Sequence, residues 1–344
     1  MKNENNIFTY ATSELSQDAF ICYLLSFAME KFKDLDKELT KCAKALLRLM
    51  VGDRNSSELK VLNLKRQYKN IDVLVELVDG TSIIIEDKTF SSAGEGQLNR
   101  YKQALLEEGR KENAIYCVYY KIGDQAHPEP DVINITRFDL MKLFKQYPNS
   151  TNIIYNNYVE HLDSIELDTN AFLIDKDNAK WRQNWDHVYR GFFTHLIHNK
   201  IVTVSGGPEN YDWYYVANKS GGFWCLWWNV LSTEEMSKMG IDSKYADAIY
   251  LQIEDNYIAV KLSKKDTENY EITRQLRWDL FRYFEKEVPG FSKMPFKKGQ
   301  AMTVGRVQYD MTDYKEKIKT MENTINTLVS EFRFEVNRWG SQLC

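Results

Sequence analysis

Residues 71–88 constrain this chain more than any other stretch. They read IDVLVELVDGTSIIIEDK, two short apolar runs joined at Asp79-Gly80, with Asn70 in front. An Asp-Gly pair between such runs is a strong β-hairpin signal. Yet the runs carry Asp72, Glu86 and Lys88, and a strand buried on both faces does not hold unpaired charge cheaply. Side chains two apart on a strand share a face, so Glu86 and Lys88 point the same way. A three-residue loop, Val78-Asp79-Gly80, with Gly80 left-handed, pairs Leu77 with Thr81 and sets Asp72 opposite Glu86. A strict two-residue turn without a bulge sends Asp72 to the other face. An odd loop therefore gathers three polar groups on one side of an apolar hairpin. The bland alternative is a surface hairpin with ordinary charges on its wet face.

The chemistry follows from the residue types. Two adjacent carboxylates repel unless a cation lies between them. Oxygen-only ligands suit Mg²⁺ or Mn²⁺ rather than zinc. A neighbouring lysine can hold or deprotonate a water, or offset developing negative charge. Such a set suits metal-assisted phosphodiester hydrolysis. Other chemistries fit less well. No G-x-S-x-G marks a serine hydrolase. A glycosidase could use Asp72 and Glu86 as its carboxylate pair but leaves Lys88 without a part. Gly94-x-Gly96 is too short for a dinucleotide fingerprint, and the loop Ser91–Gly96 lacks the Gly-Lys-Ser/Thr ending of a phosphate loop.

Asp72 followed by Glu86-x-Lys88 on the next strand resembles the PD-(D/E)XK nuclease superfamily, with Ile71 where the proline of that name stands. Gln97-Leu98-Asn99-Arg100-Tyr101 is similar to the Q-x-x-x-Y motif of the RecB-like branch, and Glu14, in SELSQDAF, sits where many members carry a helix glutamate. The resemblance covers roughly residues 8–150. It implies a mixed β-sheet flanked by helices, and a Mg²⁺-dependent deoxyribonuclease in which Mn²⁺ substitutes. Asp72 and Glu86 would hold the metal with the main-chain carbonyl of Asp87. Lys88 would position the water or stabilise the transition state, Glu14 would assist, and Gln97 and Tyr101 would line the nucleic-acid side. It also implies a bacterial or phage protein of restriction, repair or phage defence. A non-catalytic nucleic-acid-binding or interaction protein on the same fold stays open, as do RNA as substrate and endo- against exonuclease action.

At 344 residues the chain has room for two domains. A net charge of −4 argues against a strongly basic coat protein, while a local positive patch remains compatible with it. No apolar run of membrane-spanning length occurs, and the start MKNENNIFTY has no signal-peptide core. The five cysteines are scattered, with no CxxC pair, and read as reduced thiols of a cytoplasmic protein.

The expected fold is α+β in two parts. Residues 1–150 form the nuclease-like domain: helices over 13–33, capped by Thr12 or Ser13, and 34–50, with Leu39, Cys42, Leu46 and Leu49 inward. A strand follows over 59–68, then the hairpin, a helix from Gln97 to about Glu108, strands over 113–121 and 132–135, and a short helix to Phe144. Lys60, Lys65, Arg66 and Lys69 form a solvated face or contact phosphates. Glu14 is either an ordinary first-turn acid or a group reaching the site. Residues 151–179, rich in Asn and Asp, read as a connector with a helix at 153–162. Residues 180–344 read as a second α+β domain serving recognition, regulation or dimerisation, with a nucleotide signal or a protein as regulator. Its helices are expected over 180–199, 267–287 and 313–339. Its strands fall at 211–217, 223–230, 248–253, 257–263 and 301–307. Phe223-Trp224-Cys225-Leu226-Trp227-Trp228 is apolar at both parities, which fits a core strand, an interface or base stacking. His195 and His198 share a helix face, but no third ligand accompanies them.

Overall fold

The computed structural model describes residues 5–52, 59–94, 96–174, 181, 185–219, 221–232, 234–235, 248–263, 270–295 and 301–332. The chain is α+β and divides into two compact units. The first holds residues 1–124 and 128–168; the second holds 125–127 and 169–344.

The first unit contains α1 (Ile7–Tyr10), α2 (Glu14–Ser26) and α3 (Lys37–Val51), then β1 (Val61–Tyr68), β2 (Ile71–Leu77) and β3 (Ser82–Lys88). After these come α4 (Gln97–Glu107), β4 (Ile115–Lys121), β5 (Ile133–Thr136), α5 (Arg137–Phe144) and α6 (Ile153–Thr169). The five strands lie in chain order, β1-β2-β3 antiparallel and β3-β4-β5 parallel. The helix α4 makes the crossover that a parallel neighbour requires. Alternation along the strands feeds two cores. Val73, Val75, Ile83, Ile85, Val118 and Tyr120 face α2, α3, α5 and α6. Leu74, Ile84 and Tyr119 face Leu98 and Leu105 of α4.

The hairpin closes with the odd loop. Val73–Ile85, Leu74–Ile84, Val75–Ile83 and Glu76–Ser82 are paired, the Leu77 amide donates to Thr81 O at 2.9 Å, and Gly80 has φ 88°. The turn between β1 and β2 is different. Lys69 and Asn70 both have positive φ, 53° and 68°, the two-residue form that suits a twisted hairpin.

Several expected bounds shift. The helix expected to run to residue 33 ends at Ser26, with Phe27 as its C-cap and turns beyond. Ser13 is the N-cap residue of α2, but its side chain makes no capping bond; it meets Ser16 Oγ instead. Leu49, expected inward on α3, is 40% exposed, while Leu47 and Met50 take the buried positions. The stretch expected as a connector contributes to the core. Tyr155, Tyr158, Leu162 and Ile165 of α6 pack with Phe20 and Phe144, and the Phe20 and Tyr158 rings stack with centroids 3.6 Å apart. Residues 175–179 of that stretch, and 180 and 182–184 at the start of the helix expected over 180–199, lie outside the described residues.

The second unit contains α7 (Trp185–His198), β6 (Tyr211–Val216), β7 (Phe223–Trp228), β8 (Ala248–Glu254) and β9 (Tyr257–Ser263). It continues with α8 (Tyr270–Glu287), β10 (Ser292–Lys293), β11 (Ala301–Gln308) and α9 (Tyr314–Phe332). Its sheet is antiparallel throughout, in the order β10-β11-β9-β8-β7-β6. The aromatic strand β7 is interior, and Trp224, Leu226 and Trp228 enter the main core with Phe192, Phe193 and Phe284. Trp228 Nε1 donates to buried Glu322 at 2.9 Å. His195 meets the Tyr314 hydroxyl at 3.3 Å, and His198 is exposed. The part of the final helix expected beyond residue 332 lies outside the described residues. No described helix is long and apolar enough to cross a membrane.

Candidate active site

The site forms where β2 begins and β3 ends, and its residues arrive there by strand parity. Asp72 and Leu74 share one face of β2; Ile84, Glu86 and Lys88 share the same face of β3. The ladder Val73–Ile85 continued by one step brings Asp72 opposite Glu86. Lys88 Nζ sits among the oxygens: 2.5 Å from Glu86 Oε1, 2.8 Å from Asp87 O, 3.4 Å from Asp72 Oδ2 and 3.6 Å from Glu14 Oε2. Asp72 Oδ2 also accepts from the Asp87 amide at 3.0 Å.

The helices supply the rest. Glu14, in the first turn of α2, accepts from the Thr89 amide at 3.1 Å and from Ser91 Oγ at 2.9 Å, holding the segment that leaves β3. Gln97, in the first turn of α4, donates to Glu86 Oε1 at 2.8 Å and to Tyr101 Oη at 2.7 Å, and its Oε1 accepts from the Gly94 amide at 2.8 Å. Spacing of four along α4 puts Gln97 and Tyr101 on one face. The structure thus gathers Glu14, Asp72, Glu86, Lys88, Gln97 and Tyr101 at one place.

Asp87 is divided. Its carbonyl accepts from Lys88 in the centre, but its carboxyl lies on the opposite face of β3, buried, with Oδ1 taking a hydrogen bond from Gln17 Nε2 of α2. As a ligand Asp87 therefore offers its main chain and not its side chain.

Burial sets the electrostatics. Glu86 is inaccessible to solvent. That burial, with the nearby Asp72 charge adding to it and Lys88 opposing it, pushes its carboxyl up to about 7. Asp18, one turn along from Glu14, rises to about 6 through burial and then Asp72. Burial also raises the Asp87 carboxyl well above the carboxylate range. Burial works against the Lys88 charge, but the hydrogen bond and charge of Glu86, then Asp72 and Glu14, hold it above the ordinary lysine value. Tyr101 is raised by burial.

The donor set suits a hard divalent cation. Glu86 Oε2 is buried without a hydrogen-bond partner, and Glu86 and Asp72 lie carboxyl to carboxyl. Among the described residues, no three His, Cys, Asp or Glu side chains gather closely enough to hold a metal by themselves. A cation here would take Asp72, Glu86 and the Asp87 carbonyl, with water completing the shell as Mg²⁺ prefers.

The structure also brings in residues that sequence reading missed. Gln17 supports Asp87, and Gln67 Nε2 spans Asp18 and Asp72 at 3.3 Å each. Buried Lys121, paired with Lys88 in the ladder, donates to Ser91 O and steadies the segment that holds Glu14. At Gly123 a Cβ would stand 2.2 Å from Thr89 O, so a glycine lets the chain after β4 pass close to the end of β3. Gln17 and Asp18 were legible in one respect: they precede Phe20, Ile21 and Leu24 on the inward stripe of α2. Of the basic run, Lys60, Lys65 and Lys69 pair with Glu30, Glu76 and Glu108. Arg66 donates to Leu15 O at 3.1 Å beside the site. A comparison of the chain with protein-family models, with curated proteins and with solved structures returned no match, so the site is read from its own geometry.

Proposed function

We propose that the first unit is a Mg²⁺-dependent nuclease of the PD-(D/E)XK kind, hydrolysing phosphodiester bonds in DNA. One observation carries the reading: two carboxylates, a lysine and a main-chain carbonyl converge within hydrogen-bonding reach at a strand end, braced by Gln97 and Glu14. Asp72, Glu86 and the Asp87 carbonyl hold the ion, and Mn²⁺ substitutes for it. When bound, the ion polarises the scissile phosphate and acidifies a water. Lys88 moves to offset the negative charge that develops on the phosphate or to orient the water. Gln97 fixes Glu86, and Tyr101 stands beside it toward the substrate. The second unit serves recognition or regulation.

A second reading, a nucleic-acid-binding protein without catalysis, draws on the fact that Lys88 already pairs with all three acids. The test is cleavage of linear, circular and single-stranded DNA, with an RNA control, in Mn²⁺ and then in EDTA, wild type beside Lys88→Ala. The expected result is metal-dependent cutting of DNA that the variant loses. Wild type that cuts nothing, or a variant that cuts as well as wild type, sinks the nuclease reading.

A further inference from the structure

Beneath the site, on the face of β3 that α4 does not cover, runs a line of buried polar groups that the proposed chemistry does not use. Tyr120 of β4 and Tyr158 of α6 meet hydroxyl to hydroxyl at 3.1 Å. The Tyr158 hydroxyl donates to Gln17 Oε1 at 3.2 Å. Gln17 Nε2 donates to Asp87 Oδ1, and the Asp87 amide donates to Asp72 Oδ2 at 3.0 Å. With Tyr120 as the donor to Tyr158, every bond points toward the site. Tyr120, Tyr158, Gln17 and Asp87 are 0–4% exposed.

Four polar side chains in a core need a reason, since core volume is filled more safely by apolar groups. The geometry supplies one. A glutamine amide can turn over and exchange its donor and acceptor ends. Tyr158, donating to Oε1, fixes which end faces Asp87. Gln17 then fixes the Asp87 side chain, and with it the Asp87 backbone, whose N–H orients Asp72 and whose C=O faces the centre. Groups that orient metal ligands in this manner govern metal affinity without touching the metal.

We propose that Gln17, held by Tyr158, is a positioning residue that sets the cation affinity of the site through Asp87. This rests on the nuclease reading. It places the control on α2 and α6, outside the hairpin.

The test is Mn²⁺ binding by the full chain, followed by the loss of the free-ion electron paramagnetic resonance signal, with cleavage measured alongside. Gln17→Leu removes the support, and Tyr158→Phe removes one hydroxyl in a shape the core accepts. Leu162→Ala, on the same helix as Tyr158 and off the line, controls for lost stability. The expected result is that Gln17→Leu needs on the order of tenfold more Mn²⁺ and Tyr158→Phe shifts the same way by less. Leu162→Ala is expected to lower the thermal midpoint and leave the titration in place. If wild type binds and Tyr158→Phe and Gln17→Leu both titrate with it, the positioning role falls and the nuclease reading stands. An equal shift in Leu162→Ala also overturns the role, since general loosening then explains it. Wild type that binds no Mn²⁺ overturns both.

Discussion

Lys88 is the residue on which most of the chemistry converges. Its ammonium takes up three of the oxygens through which Asp72, Glu86 and Asp87 would bind a cation. Ion and lysine therefore compete for the same lone pairs, and replacing Lys88 should separate binding from turnover. Lys88→Ala is expected to bind Mn²⁺ at lower concentration than wild type while it loses cleavage; calorimetric titration decides, and weaker binding in the variant would contradict the competition. The acids predict a pH trend. Glu86 is raised to about 7 and Asp18 to about 6, so the folded chain keeps protons that the unfolded chain releases above the ordinary carboxylate range, around pH 4. The stability from this uptake is whole below that range and is lost as pH rises through about 6 to 7. In metal-free buffer the thermal midpoint should fall between about pH 5 and pH 8, and Glu86→Gln should flatten the upper part of that fall. Saturating Mn²⁺ should reverse the slope by favouring the charged carboxylates. A midpoint flat with pH in wild type would show that these acids titrate normally.

Elements were legible where local chemistry and tertiary packing agree. The hairpin could be drawn to its register because the Asp-Gly loop, the apolar alternation and the charged ends give one answer. The start of α3 was less clear. Asp36 caps it, Oδ1 accepting from Glu38 N at 2.9 Å and Leu39 N at 3.0 Å, which is why the helix begins at Lys37 and not at 34. Asp36→Ala should cost about 1 kcal/mol, measured by urea unfolding; a loss within error would mean that water caps the helix as well. The helix α6 was expected over 153–162 and runs on to Thr169; its place in the core was missed because composition concealed periodicity. Asn152, Asn156 and Asn157 give the stretch a loop-like character, while Tyr155, Tyr158, Leu162 and Ile165 recur at helical spacing on its buried side. Gln17 escaped notice for the converse reason: a polar residue on an inward stripe reads as a flaw in the pattern until its partners, Asp87 and Tyr158, 70 and 141 positions away, are known.

The molecule as a whole carries separate cores. The clusters beneath and above the first sheet draw on the first unit alone, and the large cluster around β7 draws on the second. A core defect in the second unit should therefore leave cation binding in the first intact. Leu226→Ala, at a fully buried position of β7, is expected to cost about 2–5 kcal/mol, seen as a lower thermal midpoint, with Mn²⁺ affinity unchanged. A matching loss of affinity would reveal coupling between the units.

The loop Val78-Asp79-Gly80 has a genetic consequence. None of its residues takes part in the site, so most substitutions there should be silent, apart from those at Gly80, whose φ of 88° suits glycine. Its length is nearly as free. Loss of Asp79 alone leaves the two-residue loop Val78-Gly80, across which Leu77 can still pair with Thr81, so Asp72 stays opposite Glu86. A one-residue deletion inside β2, between Asp72 and Leu77, is different: it moves Asp72 one place along the ladder and onto the opposite face of the sheet. The Asp79 deletant is therefore expected to keep Mn²⁺ binding and a Val75 deletant to lose it; loss in the Asp79 deletant would show that the loop itself sets the register. Lineages that keep these acids together should vary the turn in spelling and in length, and hold the strand beside it to one length.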